Sequence, residues 1–265
     1  MAEDLAEVNR IILDRLSSEN PLIAHLGMLM TSPMRKRREA CMYLLLARVS
    51  GNKGRDACVV ASILDLIVAA LDLHGEIAGN AGTSQTKAVL SGLPTAVNVL
   101  ASDFLYTRAF QMVSELGEMA LIRLLSEATT RSAEGAVMML AWTEHSAVND
   151  NGYLMATLLR RGSLIEAAAK MAMQRTSGDE ASNDGRDALV RHMSTAIALG
   201  DELQDRGLCN PAAGGHMYGR ARIELDNATT FLGKLAHSSY HADLIGMLMD
   251  AVPAEPSPCL ISAVS

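Results

Sequence analysis

The sequence predicts an all-α, single-domain helical bundle, and three observations carry that prediction. Apolar residues recur at spacings of three and four, as in Leu5, Val8, Ile11, Ile12 and Leu16, which gathers them on one helix face. No stretch alternates apolar and polar residues in the manner of a strand. Hydrophobic residues make up 49% of the 265 positions but aromatics only 3%, with 16 Met, so the core must use side chains that favour helices over sheets.

The first helix spans Leu5 to Arg15 and stops at "SSENPL"; a second begins near Pro21. Pro33 in "TSPMRKRREA" interrupts before "CMYLLLARVSG", where Gly51 suits a C-terminal stop. From Arg55 through Leu73 the chain is apolar nearly all round, as expected of a helix inside a bundle. The stretch "LDLHGEIAGNAGTSQTK", 71–87, then breaks the pattern with glycines and small polar residues. Further helices are expected in "LPTAVNVLASDFLYTRAFQMVSELG", ending at Gly117, in "EMALIRLLSEATTRSAEGAVMMLAW", in "NDNGYLMATLLRRGSLIEAAAKMAMQ" and in "DALVRHMSTAIALGDELQD". "RGLCNPAAGG" reads as a breaker before two closing helices, "RARIELDNATTFLGKLA" and "YHADLIGMLMDAV". The expectation is one helical domain over 1–252 and a proline-rich, loose tail over 253–265.

A formal net charge of −7 argues against nucleic-acid binding, which needs a basic face to release counterions. Cys41, Cys58, Cys209 and Cys259 show no metal-like or CxxC spacing, so reduced thiols in a cytoplasmic protein are expected. The acidic start "MAEDLAEVNR" lacks the plan of a signal or transit peptide. No uncharged apolar run reaches the roughly 18 residues of a spanning helix, so the chain is expected not to cross a membrane. His237 and His241 have the i, i+4 spacing of metal ligands but no third ligand, and a helix entry is the expected role. Met138, Met139, Met171, Met173, Met247 and Met249 are expected as core filler.

The segments "SDFLYTRAFQM" (102–112), "AEGAVMML" (133–140), "SLIEAAAK" (163–170) and "STAIALGDELQD" (194–205) resemble, in order, the trans-type polyprenyl diphosphate synthases, most closely the octaprenyl type. The two ends of the chain are similar to the same family. The resemblance implies an isoprenoid synthase-like bundle around a central cavity, usually a homodimer. It also implies two aspartate-rich motifs whose carboxylates hold Mg²⁺ against an allylic diphosphate, because the departing negative charge must be neutralised.

Against that pattern the chain departs. His74 matches the first motif, but Gly75, Glu76 and Gly79 stand at its aspartate positions, and Ser84 and Gln85 replace its arginine pair; Lys87 matches a family lysine. Asp201, Glu202 and Asp205 retain the second motif with one conservative change, on one helical face. Metal ligands and a solvated acidic helix end are both open for them, and Glu76 is a further candidate ligand. For diphosphate the candidates are Lys36, Arg37, Lys87 and Arg160, while a charged, solvated loop is the competing expectation for "RKRR". Glu39, Ala40, Val68 and Met139 replace other family residues. After Asp205 the chain passes through "RGLCNPAAGGHMYG" in place of a basic loop and further helices, so a bundle truncated in its C-terminal part is expected.

Two functions remain open from the resemblance. One is a catalytically degenerate homologue acting as a non-catalytic or regulatory subunit, homodimeric or paired with an active polyprenyl synthase. The other is an isoprenoid-fold enzyme with altered chemistry, a terpene cyclase or prenyl-group transferase, using Mg²⁺. A prenyl diphosphate or another lipid is the expected ligand.

Overall fold

Every regular element among the described residues is a helix. The computed structural model describes residues 1–33, 35–52, 54–77, 94–140, 151–174, 183–208, 211–233 and 240–252, with backbone alone at 76, 77, 183 and 211–214. In order these are α1 (Ala2–Arg15), α2 (Pro21–Met30), α3 (Arg38–Val49), α4 (Arg55–Ile77), α5 (Thr95–Leu116) and α6 (Met119–Met139). There follow α7 (Asn151–Thr157), a π-helical turn (Leu158–Gly162), α8 (Ser163–Gln174), α9 (Asn183–Asp205), α10 (Pro211–Leu232) and α11 (His241–Ala251).

Local chemistry sets several boundaries. Asn20 accepts a hydrogen bond from Leu22 N at 3.0 Å and Pro21 takes the first helical position, the preferred start of a helix. α5 stops at Gly117, whose φ of 69° is the left-handed conformation that glycine supplies most easily. Pro211 opens α10, so half of the expected breaker is helical, and the break falls instead at Gly215 (φ 48°, ψ −129°). The long helix expected over "NDNGYLMATLLRRGSLIEAAAKMAMQ" is two α-helices joined by the π turn.

α4 lies at the centre, packed chiefly on α5, α3 and α1, while α9 pairs with α10 and α8, and α3 crosses α8. By length and composition Arg55–Gly75 could cross a membrane, but 72% of its most apolar window is buried against other helices, which accounts for its apolar circumference. Met139 and Met171 are core, while Met249 is 55% exposed and does not fill it. Cys41 and Cys58 are free thiols; the 253–265 tail, Cys209, Cys259 and His237 lie outside the described residues. His241 begins α11.

Candidate functional site

The acidic end of α9 is neither solvated nor open. Glu202 is 3% exposed, and each of the three carboxylates faces a guanidinium. Arg38 Nε lies 2.8 Å from Asp201 Oδ1. Arg161 spans the other two, with Nε 2.8 Å from Glu202 Oε2 and Nη2 2.5 Å from Asp205 Oδ2. Arg160 Nη2 adds a contact of 2.6 Å and Arg206 Nε one of 3.0 Å to Glu202, while the Tyr153 hydroxyl donates to it as well. Burial alone would raise the Glu202 pKa; Arg161 and Arg160, with the Tyr153 bond, more than offset this and hold it well below the usual carboxylate range. Asp201 is pushed up by burial, against the pull of Arg38, Arg161 and Lys36.

These pairings come from the π turn. It places Arg160 and Arg161 at the α7–α8 junction, beside the end of α9. α6 pins the turn from behind: Ser132 Oγ donates to the Arg160 carbonyl at 2.6 Å, and Gly135 lets the two backbones meet, since a Cβ there would stand 2.4 Å from Arg160 N.

The basic loop is tied to the same cluster, although Lys36 itself stays exposed. Arg37 pairs with the buried Asp65 through Nε at 2.6 Å and reaches Asn9 Oδ1 at 2.5 Å. Lys36 Nζ donates to Gln204 Oε1 at 2.9 Å. Loop, α4 and the acidic end enclose a polar cavity of about 80 Å³, whose lining includes Glu39, Val68, Asp72 and Arg161. Sequence spacing therefore separated two half-sites that the fold joins into one ion cluster.

A Mg²⁺ ion needs several free oxygens at about 2.0–2.1 Å. Here Glu202 and Asp205 already accept N–H donors, Asp201 is held by charge against Arg38, and no group of three or more His, Cys, Asp or Glu among the described residues could hold a metal. The donor set as folded does not fit the ion. Of the other predicted residues, Glu76 lies in the last turn of α4 with its side chain outside the described residues, and Lys87 lies outside them entirely.

Next to the cluster, between α4, α5 and α6, is a second cavity of about 660 Å³ with mostly apolar walls, among them Leu71, Tyr106, Phe110 and Val137, and with Arg160 at its edge. His74 lines it. Ser102 donates its hydroxyl proton to Ala70 O at 2.8 Å, so the 2.6 Å contact with His74 Nδ1 places the N–H on that nitrogen.

An all-helical bundle with an apolar cavity beside an acidic helix end narrows the choice of family, and sequence comparison decides it: residues 22–206 match the polyprenyl synthetase family model. The chain belongs to the polyprenyl synthetase family. It is 31% identical over 205 residues to the octaprenyl diphosphate synthase of Escherichia coli (strain K12), covering 77% of this chain and 64% of that one. Against the octaprenyl diphosphate synthase of Haemophilus influenzae it is 29% identical over 212 residues, covering 80% and 64%. The chain thus spans just under two thirds of the length of these relatives. In fold it is similar to a decaprenyl diphosphate synthase from Rhodobacter capsulatus, with TM-score 0.76, 19% identity, and 95% and 96% of the two chains covered. A polyprenyl synthase from Caulobacter crescentus CB15, solved with calcium and isoprenyl diphosphate, matches with TM-score 0.75 and 20% identity over 95% and 94%.

Within this polyprenyl synthetase fold, Arg161, Arg38, Tyr153, Arg206 and Asp65 belong to the cluster although sequence reasoning did not single them out. One signal was available: Asp65 in "ASILDLIVAA" and the arginine pair after "MATLL" are charges in apolar runs, and buried charges need partners.

Glu39 supplies a pH test. Burial, helped by the nearby Asp201, Asp72 and Asp65, raises its pKa from 4.5 to about 7. The folded state then holds a proton that the unfolded chain releases, so stability falls as pH rises between these values and the penalty is complete above about 7. Glu39→Gln is expected to remove that fall and to gain on the order of 2 kcal/mol at mildly alkaline pH. Urea denaturation of both proteins at acidic and alkaline pH measures it; parallel pH profiles would discard the assignment.

Proposed function

We propose that this polyprenyl synthetase homologue is a non-catalytic subunit in isoprenoid metabolism, one that associates with an active polyprenyl synthase. The observation that carries the proposal is Arg161, whose guanidinium lies between Glu202 and Asp205, where a cage for the metal would need an exchangeable ion. A fixed cation there neutralises the carboxylates without offering a diphosphate anything to bridge to. The glycine, serine and glutamine at the first motif, Gly75, Gly79, Ser84 and Gln85, support the same reading. Leu100 on α5 and Met119 at the start of α6, 70% and 67% exposed, offer apolar surface to another chain.

The test has two arms. The purified chain, given geranyl, farnesyl or geranylgeranyl diphosphate with isopentenyl diphosphate and Mg²⁺, is expected to release no product. Mixed with an intact octaprenyl-type synthase, it is expected to co-elute and to change rate or product length. Turnover by the isolated chain would favour an enzyme of altered chemistry, and absence of any effect on the synthase would end the subunit proposal.

A further inference from the structure

Hydroxyls inside the helices of this chain commonly return to a carbonyl three or four residues back. Ser62 donates to Cys58 O at 2.7 Å, Thr107 to Asp103 O at 2.8 Å, Thr130 to Ser126 O at 2.9 Å and Thr230 to Asp226 O at 2.8 Å, the local bond that an α-helix offers Ser and Thr. Thr157 and Ser163 make no such bond. They flank the π turn, Leu158–Gly162. Thr157 is fully buried and Ser163 is 2% exposed. Thr157 Oγ1, Ser163 Oγ and, midway between them, Arg160 Nε have no hydrogen-bond partner among the described residues. Buried polar atoms left unpaired are costly, so something else must hold the turn in its π form.

The ion cluster does so. Tyr153 before the turn, and Arg160 and Arg161 within it, all bond carboxylates at the end of α9. An α form arises if α7 advances by one residue, about 1.5 Å along its axis. The two hydroxyls then regain local carbonyls, and Tyr153 is carried off Glu202. α7 is the part that moves, since it is seven residues long, whereas α8 is buried through Leu164, Ile165 and Ala168 and packed on α3, α6 and α9. Ser132 Oγ holds the Arg160 carbonyl, which confines the sliding to the residues before it. Gly135, without a side chain, stands against the Ala156 carbonyl and gives α7 a bare backbone to slide on.

We propose that the α7–α8 junction is a two-state conformational switch, a π form latched by the ion cluster and an α form reached when a contact to Glu202 is withdrawn. Met155 on α7 is 53% exposed, so the state of a buried cluster is displayed on the surface of that helix. The switch goes beyond the subunit proposal and does not rest on it.

Nitrogen-15 relaxation dispersion and carbon-13 saturation-transfer NMR on the full chain test it. Residues 153–163 are expected to exchange on the microsecond-to-millisecond scale of helix sliding, with a minor state of on the order of 1% whose carbon shifts are helical throughout. Thr157→Val and Ser163→Ala remove hydroxyls that only the π form leaves unpaired, and each is expected to lower the minor population at least about fivefold. Glu202→Gln is expected to raise it at least about tenfold. Tyr153→Phe, which spares the charged pairs, is expected to raise it about fivefold and serves if the Glu202 variant does not fold. Absence of exchange in both the parent and Tyr153→Phe would overturn the proposal. So would random-coil shifts in the minor state, the mark of local unfolding, or a minor population that the hydroxyl substitutions leave unchanged or raise.

Discussion

Arg161→Ala is expected to destabilise the fold by about 3–5 kcal/mol, the cost of leaving buried carboxylates without their partner. Arg161 touches both Glu202 and Asp205, and those two contacts cannot be replaced from one side. Arg160 and Arg206 still reach Glu202, so that carboxylate keeps part of its compensation. Urea denaturation gives the loss directly. A second consequence separates a fixed cation from an ordinary ion pair: once the guanidinium is gone, millimolar Mg²⁺ or Mn²⁺ is expected to raise the melting temperature of the variant by mass action, and to leave the parent unchanged. Arg161→Gln, which keeps hydrogen-bond donors, serves if the alanine variant does not fold. Loss of less than about 0.5 kcal/mol, in the range of an exposed pair, would show that the arginine is not a structural cation.

The second large effect is steric. Gly135→Ala places a methyl group 2.4 Å from Arg160 N and 2.8 Å from the Ala156 carbonyl, and neither backbone can yield without parting α6 from the π turn. A loss on the order of 3 kcal/mol is expected, together with slackening of the Ser132 bond to Arg160 O. Gly75→Ala is the control. A Cβ there meets nothing within 4 Å, so alanine is expected to stabilise α4 by about 0.5–1 kcal/mol. Thermal denaturation of the pair reads both signs, and equal shifts would refute the argument from close approach.

Much of the fold was legible because its signals are local. Asn20 and Pro21 announce α2, and Gly117 closes α5, each within a few residues of the boundary. The face shared by Asp201, Glu202 and Asp205 was equally visible, since spacing alone creates it. Their partners were not: Arg161 and Glu202 are 41 residues apart, and Lys36 and Gln204 are 168 apart, a distance over which single-sequence periodicity says nothing. "RKRR" looked solvated because charge runs usually are; Lys36 is exposed as expected, whereas Arg37 is drawn in by the buried Asp65 of α4. The helical start of α10 inside "NPAAGG" followed from Pro211 at a first helical position, which outweighs the glycines until Gly215.

The π turn sets a phase. Each α-helical residue advances the chain by about 100° around its axis, and a π turn inserts a lag that the flanking helices must share. Tyr153 before it and Arg160 and Arg161 within it all converge on the end of α9. Loss of one in-frame codon at Leu158 or Leu159 would leave an unbroken α-helix, acceptable to the backbone and better hydrogen-bonded. It would also rotate the arginines about a quarter turn relative to Tyr153, so the helix could tolerate the deletion where the charges could not. The register of this segment is therefore held by its electrostatics, and substitutions that spare the residue count are the ones the site can absorb.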